Sequence, residues 1–148
     1  MTPDRQTIAK LIDTSFIFRS LEGFVRARLL ELAVPKNFAA GTVLMREDEA
    51  GTEMMIVVSG KVEVSQIGAD GDVSLACPGP GAVLGEVAVI TGTPRTSTVT
   101  AVEDTTVLSF SSEVIRDLVE LHPRVGALLL KLIEGRAKQA VARHVESD

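Results

Sequence analysis

Regularly spaced glycines over residues 36–110 are the feature that most limits how this chain can fold. They separate short apolar runs and include Gly41, Gly51, Gly60, Gly68, Gly71, Gly79, Gly81 and Gly92. Short runs between turn residues are typical of short strands joined by tight turns. Residues 69–72 (Ala-Asp-Gly-Asp) predict one such hairpin turn. We therefore predict an antiparallel, jelly-roll-like β-roll in this segment.

Apolar residues recur at spacings of three and four before and after the glycine-rich segment, which predicts flanking helices. Pro35 is predicted to end the first helical zone, and Ser111 or Ser112 to cap the next helix. Pro123 suits the first turn of a final helix. The predicted architecture is a single α+β domain over residues 1–148. It has a helical zone at 3–34, a β-roll at 36–110, and two C-terminal helices within 112–145.

Composition excludes several classes of protein. With 148 residues, 45% hydrophobic and 24% charged, the chain can bury one ordinary core. A net charge of −5 argues against a nucleic-acid or membrane-surface partner, which needs a basic face. The polar N-terminus and the short apolar run at 125–130 argue against a signal peptide and membrane insertion. Cys77 is alone, so it can form no internal disulfide, and we predict a cytoplasmic location.

The segment from Gly81 to Val99 carries the clearest chemistry. Its glycines let backbone N–H groups approach a ligand, and a short helix there presents a positive dipole end. The guanidinium of Arg95 matches two oxygens of one phosphate, and Thr96 beside it supplies a hydroxyl. The carboxylate of Glu86 repels phosphate, so we expect it to accept hydrogen bonds from sugar hydroxyls. These residues together predict a site for phosphate plus ribose.

This segment resembles the phosphate-binding cassette of cyclic-nucleotide-binding domains. The family pattern is matched by Leu84-Gly85-Glu86-Val87-Ala88 and Pro94-Arg95-Thr96-Ser97-Thr98-Val99. Asp48 stands where the family has a glycine, and aspartate tolerates the left-handed backbone of that turn. The resemblance implies that cAMP, and also cGMP, binds through Arg95 and the backbone N–H groups of Gly85, Val87, Ala88 and Thr96. It implies that Glu86 binds the ribose.

The resemblance also implies a lid over the base from the last helix. The chain has no Trp or Tyr, and its Phe residues all precede Val114. An aromatic lid from that helix is therefore impossible, which leaves Arg136 or the aliphatic Leu132 and Ile133. Arg136 can stack on the purine or extend along apolar surface with its head in water. Ala76 stands where some cGMP-selective members have an arginine, so we predict a modest preference for cAMP.

We therefore predict a cyclic-nucleotide sensor with no catalytic residues, no metal and no cofactor. It would signal to an unidentified protein effector by movement of its last helix. One alternative is the ligand-binding domain of a catabolite-activator-type transcription regulator that lacks its DNA-binding part. A remote alternative is a cupin-like metal enzyme. That enzyme needs histidines from the roll, whereas His122 and His144 both lie in the predicted C-terminal helices.

Overall fold

The computed structural model describes residues 6, 23–128, 130 and 131. The chain order is α1 (Gly23–Leu32), β1 (Val34–Phe38), β2 (Val43–Met45), β3 (Glu53–Ser59), β4 (Val62–Gly68), β5 (Gly71–Ala76), β6 (Val83–Leu84), α2 (Glu86–Thr91), β7 (Thr98–Ala101), β8 (Thr105–Ser111) and α3 (Ser112–Leu121). Residues 123–128 are again helical.

In the described part of the chain, the strands form two four-stranded sheets in which every pairing is antiparallel. The first sheet has the order β1-β8-β3-β6, and the second has the order β2-β7-β4-β5. The predicted antiparallel β-roll is therefore confirmed. β3 and β8 lie in the middle of the first sheet, and side chains of both strands contribute to the apolar clusters on its two faces.

Two apolar clusters lie on opposite faces of the first sheet. The inner cluster fills the space between the sheets and contains Met45, Met55, Val57, Val62, Leu84, Val99 and Val107. The outer cluster joins α1, α3 and residue 125 to the other face, where Met54, Ile56, Leu108 and Phe110 lie. Successive side chains of a strand point to opposite faces. β3 is buried on both faces, which explains why its apolar run is unbroken.

The boundary between the first helical zone and the roll differs from the prediction. Helix α1 ends at Leu32 and β1 already begins at Val34, so the helical zone does not extend to residue 34. Pro35 lies inside β1, opposite Leu108, instead of ending the helix. A proline gives no ladder N–H, and β1 tolerates it because it is an edge strand of its sheet.

Three local predictions are confirmed by the structure. The predicted hairpin joins β4 to β5, although its turn is confined to 69–70 because Gly71 already pairs with Gly68 as the first residue of β5. The hydroxyl of Ser111 accepts a hydrogen bond from the Val114 N–H at 3.2 Å and so caps α3. Asp48 has a φ of 70°, the left-handed backbone expected of it.

Candidate functional site

Helix α2 is a short helix between two left-handed glycines. Gly85 precedes it with φ 78° and ψ 12°, and Gly92 follows it with φ 72° and ψ 14°. The helix packs against α3 and β3 and buries Ala88 and Val89. The backbone N–H groups in the first turn of a helix have no partner within that helix. Because Gly85 is the single residue between β6 and α2, these N–H groups lie next to the end of β6.

The side chain of Arg95 lies in this turn and is only 7% exposed. Its Nη1 donates to the main-chain oxygen of Gly85 at 3.1 Å, and its Nη2 donates to that of Glu53 at 2.7 Å. Its backbone N–H donates to Glu49 O at 2.8 Å, and its carbonyl accepts from Asp48 N at 2.9 Å. Arg95 thus ties together the β2–β3 loop, the first residue of β3 and the turn before α2.

Two glycines make room for this arginine. A Cβ atom on Gly85 would collide with Arg95 Nη1 and would lie 2.8 Å from Met45 Cε. A Cβ atom on Gly51 would collide with Ala88 Cβ and would lie 3.2 Å from Arg95 Nη1. Gly85 also has a positive φ, so its backbone conformation favours glycine as well. The glycine spacing predicts only a turn at Gly51, because the close approach of Ala88 and Arg95 depends on residues distant in the sequence.

Burial and two carboxylates set the electrostatics of the site. Burial lowers the pKa of Arg95 and the charges of Glu53 and Glu86 raise it, and the net effect is a pKa below the ordinary value of an arginine. Glu86 is the first residue of α2 and is 0% exposed. Charges interact more strongly where water is excluded. The site therefore holds one buried cation between two acidic residues.

A second group of polar residues was not identified from the sequence. Glu53 Oε2 accepts hydrogen bonds from Lys36 Nζ and from Ser109 Oγ, both at 2.7 Å. Burial raises the pKa of Glu53. The hydrogen bonds from Lys36 and Ser109 and the charges of Lys36 and Arg95 together lower it by more, so the pKa lies below the ordinary 4.5. The only signal in the sequence was an acid directly before the apolar run of β3.

The structure brings most of the predicted site residues together. Gly85, Glu86, Val87 and Ala88 are contiguous through the turn and the start of α2, and Arg95 reaches back to that turn. Thr96 is exposed, and its main-chain oxygen accepts from Gln66 Nε2 at 2.9 Å. Arg136, the predicted lid, lies outside the described residues, as do Leu132 and Ile133.

The remaining predictions concern metals and membranes. Among the described residues, no group of three or more His, Cys, Asp or Glu side chains is arranged to hold a metal ion. The ring of His122 lies edge-on to Phe24, with the ring centroids 5.7 Å apart, and His144 lies outside the described residues. No helix in the described part of the chain is both long and apolar enough to cross a bilayer.

Comparison with known proteins assigns the family. The model of the cyclic nucleotide-binding domain matches residues 35–122, more than half of the chain. A CRP-like cAMP-activated global transcriptional regulator of Mycobacterium tuberculosis is 27% identical over 124 residues, which cover 83% of this chain and 55% of that protein. The chain therefore belongs to the cyclic nucleotide-binding domain family, and it spans about half of the length of that regulator.

Solved structures agree with this assignment. The catabolite activator protein of Thermus thermophilus is 26% identical with a TM-score of 0.78, over 86% of this chain and 60% of that one. The regulatory domain of Toxoplasma gondii PKA, solved with cAMP, is 25% identical with a TM-score of 0.73, over 79% of this chain and 46% of that one. Each of these likenesses covers more than three quarters of this chain and about half of the other chain.

Proposed function

We propose that this cyclic-nucleotide-binding domain is a cAMP sensor whose phosphate subsite is built from Arg95 and the turn before α2. The observation that carries the proposal is the hydrogen bond from Arg95 Nη1 to the Gly85 oxygen, which brings the cation to the first turn of α2. A guanidinium has more N–H donors than the two bonds to Gly85 and Glu53 use. The remaining donors are available to the oxygens of a cyclic phosphate.

The other predicted residues have complementary roles in this proposal. The backbone N–H groups of Gly85, Val87, Ala88 and Thr96 donate to the phosphate. Glu86 accepts from the ribose 2′-hydroxyl, because a carboxylate is an acceptor for a sugar hydroxyl and repels phosphate.

The C-terminal part of the chain provides the contacts to the purine base. In this proposal Arg136 covers the purine, and the last helix moves toward the site when the ligand binds. A ligand shifts such an equilibrium only by its differential affinity for the two states. The moved helix then presents a changed surface to a protein effector. The domain itself carries out no chemistry, acts as a single unit, and works in the cytoplasm.

We propose that cAMP is preferred modestly over cGMP. Ala76, the last residue of β5, is exposed and offers no side-chain donor or acceptor to a guanine edge. A buried guanine without partners for its polar edge loses about 1 to 3 kcal/mol of binding free energy. Thr96 acts in the other direction, since its hydroxyl can reach a guanine amino group.

Titration calorimetry with three ligands tests the proposed function. We expect cAMP to bind, cGMP to bind more weakly, and adenosine to bind weakest because it lacks the phosphate. Failure of both cyclic nucleotides to bind the folded protein would contradict the proposed function. A preference of about tenfold or more for cGMP would contradict only the base preference and would assign the larger role to Thr96.

A second candidate is the ligand-binding part of a catabolite-activator-type regulator. The similarity to the regulators of M. tuberculosis and T. thermophilus favours it. The two candidates share the ligand and differ in the effector. A gel-retention assay of the protein as it occurs in its host, with duplex DNA and with or without cAMP, separates them. Ligand-dependent retention supports the regulator.

A further inference from the structure

Three neighbouring strands bring a polar cluster to the end of the first sheet where Arg95 docks. Lys36 of β1, Glu53 of β3 and Ser109 of β8 meet at one carboxylate oxygen, with both donors 2.7 Å from Glu53 Oε2. Lys36 and Glu53 also form an ion pair, with side chains 41% and 23% exposed. The pair is therefore partly desolvated and still reached by solvent.

The register of the first sheet places this cluster on its inner face. Lys36 lies opposite Val107, and Ser109 lies opposite Met55. Val107 and Met55 belong to the inner apolar cluster between the two sheets. Directly opposed residues point to the same face of a sheet. The ion pair thus faces the interior of the roll instead of its outer surface.

Glu53 is connected to Arg95 through both its backbone and its charge. Its main-chain oxygen accepts from Arg95 Nη2 at 2.7 Å, and its carboxylate attracts the Arg95 guanidinium. A phosphate bound by Arg95 is an anion close to this carboxylate, so the two negative charges compete for the same cation. A positive charge beside the Glu53 carboxylate weakens that competition. Lys36 provides this charge, because its Nζ donates a hydrogen bond to Glu53 Oε2.

We infer that Lys36 and Glu53 form a charge pair that sets the strength of anion binding at Arg95. Lys36 is a positioning residue, which acts on the ligand through Glu53 and Arg95. Its charge keeps the Glu53 carboxylate from repelling the phosphate, while Ser109 fixes the carboxylate in place. This inference rests on the proposed function, because it requires Arg95 to bind the phosphate of cAMP.

The test is a charge cycle measured by calorimetry with cAMP, in which each variant is also checked by thermal unfolding. Lys36→Met leaves the Glu53 charge uncompensated, and we expect the affinity to fall about three- to tenfold. Glu53→Gln alone should bind as tightly as the wild type or more tightly. The double variant should return to within about twofold of the wild type, because both charges are removed together.

Two controls separate charge from structure. Lys36→Arg keeps the charge and should bind like the wild type. Lys61→Met removes an exposed lysine that follows Ser59, the end of β3 opposite Glu53, and should leave the affinity unchanged.

The outcomes distinguish the inference from the proposed function. If the wild type does not bind cAMP, the proposed function fails and the inference fails with it. If the wild type binds and Lys36→Met binds equally well, only the inference is overturned. It is also overturned if the double variant is as weak as Lys36→Met, because a purely structural role of Lys36 is not rescued by removal of the carboxylate.

Discussion

Arg95 donates a hydrogen bond from Nη2 to the main-chain oxygen of Glu53 at 2.7 Å, although 42 residues separate them. The same guanidinium donates from Nη1 to Gly85 O. Both bonds form within the protein alone, so Arg95 holds the fold together where we propose that it binds phosphate. A substitution at Arg95 must therefore be measured for stability as well as for affinity.

Arg95→Ala should weaken cAMP binding about 30-fold or more, because loss of a charge-assisted contact costs about 2 to 5 kcal/mol. It should also lower the free energy of unfolding by about 1 to 3 kcal/mol, since two carbonyls lose their donor. Calorimetry and thermal unfolding measure the two effects. Arg28→Ala removes an exposed arginine on α1 and serves as the matched control. An Arg95→Ala variant that is folded and binds like the wild type would remove Arg95 from the phosphate subsite.

Gly85→Ala should be more destabilising than Gly92→Ala. Both glycines have a positive φ, which costs an alanine about 1 to 2 kcal/mol. Among the described residues, a Cβ atom on Gly92 has no neighbour within 4 Å, whereas one on Gly85 collides with Arg95 and crowds Met45. The difference in unfolding free energy between the two variants therefore measures the close approach of Arg95. Equal destabilisation would show that the site relaxes around the added methyl group.

Glu86→Gln should reduce the affinity for cAMP by about tenfold, because a hydrogen bond from the ribose to a charged acceptor is replaced by a neutral one. The affinity for 2′-deoxy-cAMP should hardly change, since that ligand lacks the hydroxyl. Calorimetry with both ligands on the wild type and the variant forms the comparison. Equal losses for the two ligands would mean that Glu86 acts elsewhere than on the ribose.

The free energy of unfolding should depend on pH through the protonation of the Glu53 carboxylate. Burial raises the pKa of Glu53, but the hydrogen bonds from Lys36 and Ser109 and the charges of Lys36 and Arg95 together outweigh it, so the pKa in the folded protein lies below the ordinary 4.5. The folded state then binds a proton more weakly than the unfolded state. The stabilisation is present above about pH 4.5 and is lost as the pH falls through the lowered folded value.

Glu53→Gln removes this dependence, so the stability difference between wild type and variant should shrink on acidification. Thermal unfolding at pH steps from about 6 down to about 3 measures it. Glu103→Gln, an exposed acid between β7 and β8, is the control. A difference that stays constant with pH would show that Glu53 does not stabilise the fold through its charge.

Local features of this protein could be predicted from the sequence because their causes lie within a few residues. The turn at 69–70, the Ser111 cap and the left-handed Asp48 each depend on the chemistry of one short segment. The contiguous part of the candidate site, Gly85 to Ala88, was identifiable for the same reason. Its resemblance to a family pattern also located Arg95 and Thr96.

The partners of those residues were decided by the tertiary structure. The strand order β1-β8-β3-β6 brings Lys36 and Glu53, 17 residues apart, and Glu53 and Ser109, 56 residues apart, to one carboxylate oxygen. The same sheet makes β1 an edge strand and so accommodates Pro35. The local hydrophobic pattern predicts that a segment is a strand, but which strands become neighbours depends on the burial of both sheet faces across the whole chain. The sequence therefore predicts Arg95 as a site residue, whereas only the fold shows the charged groups that surround it.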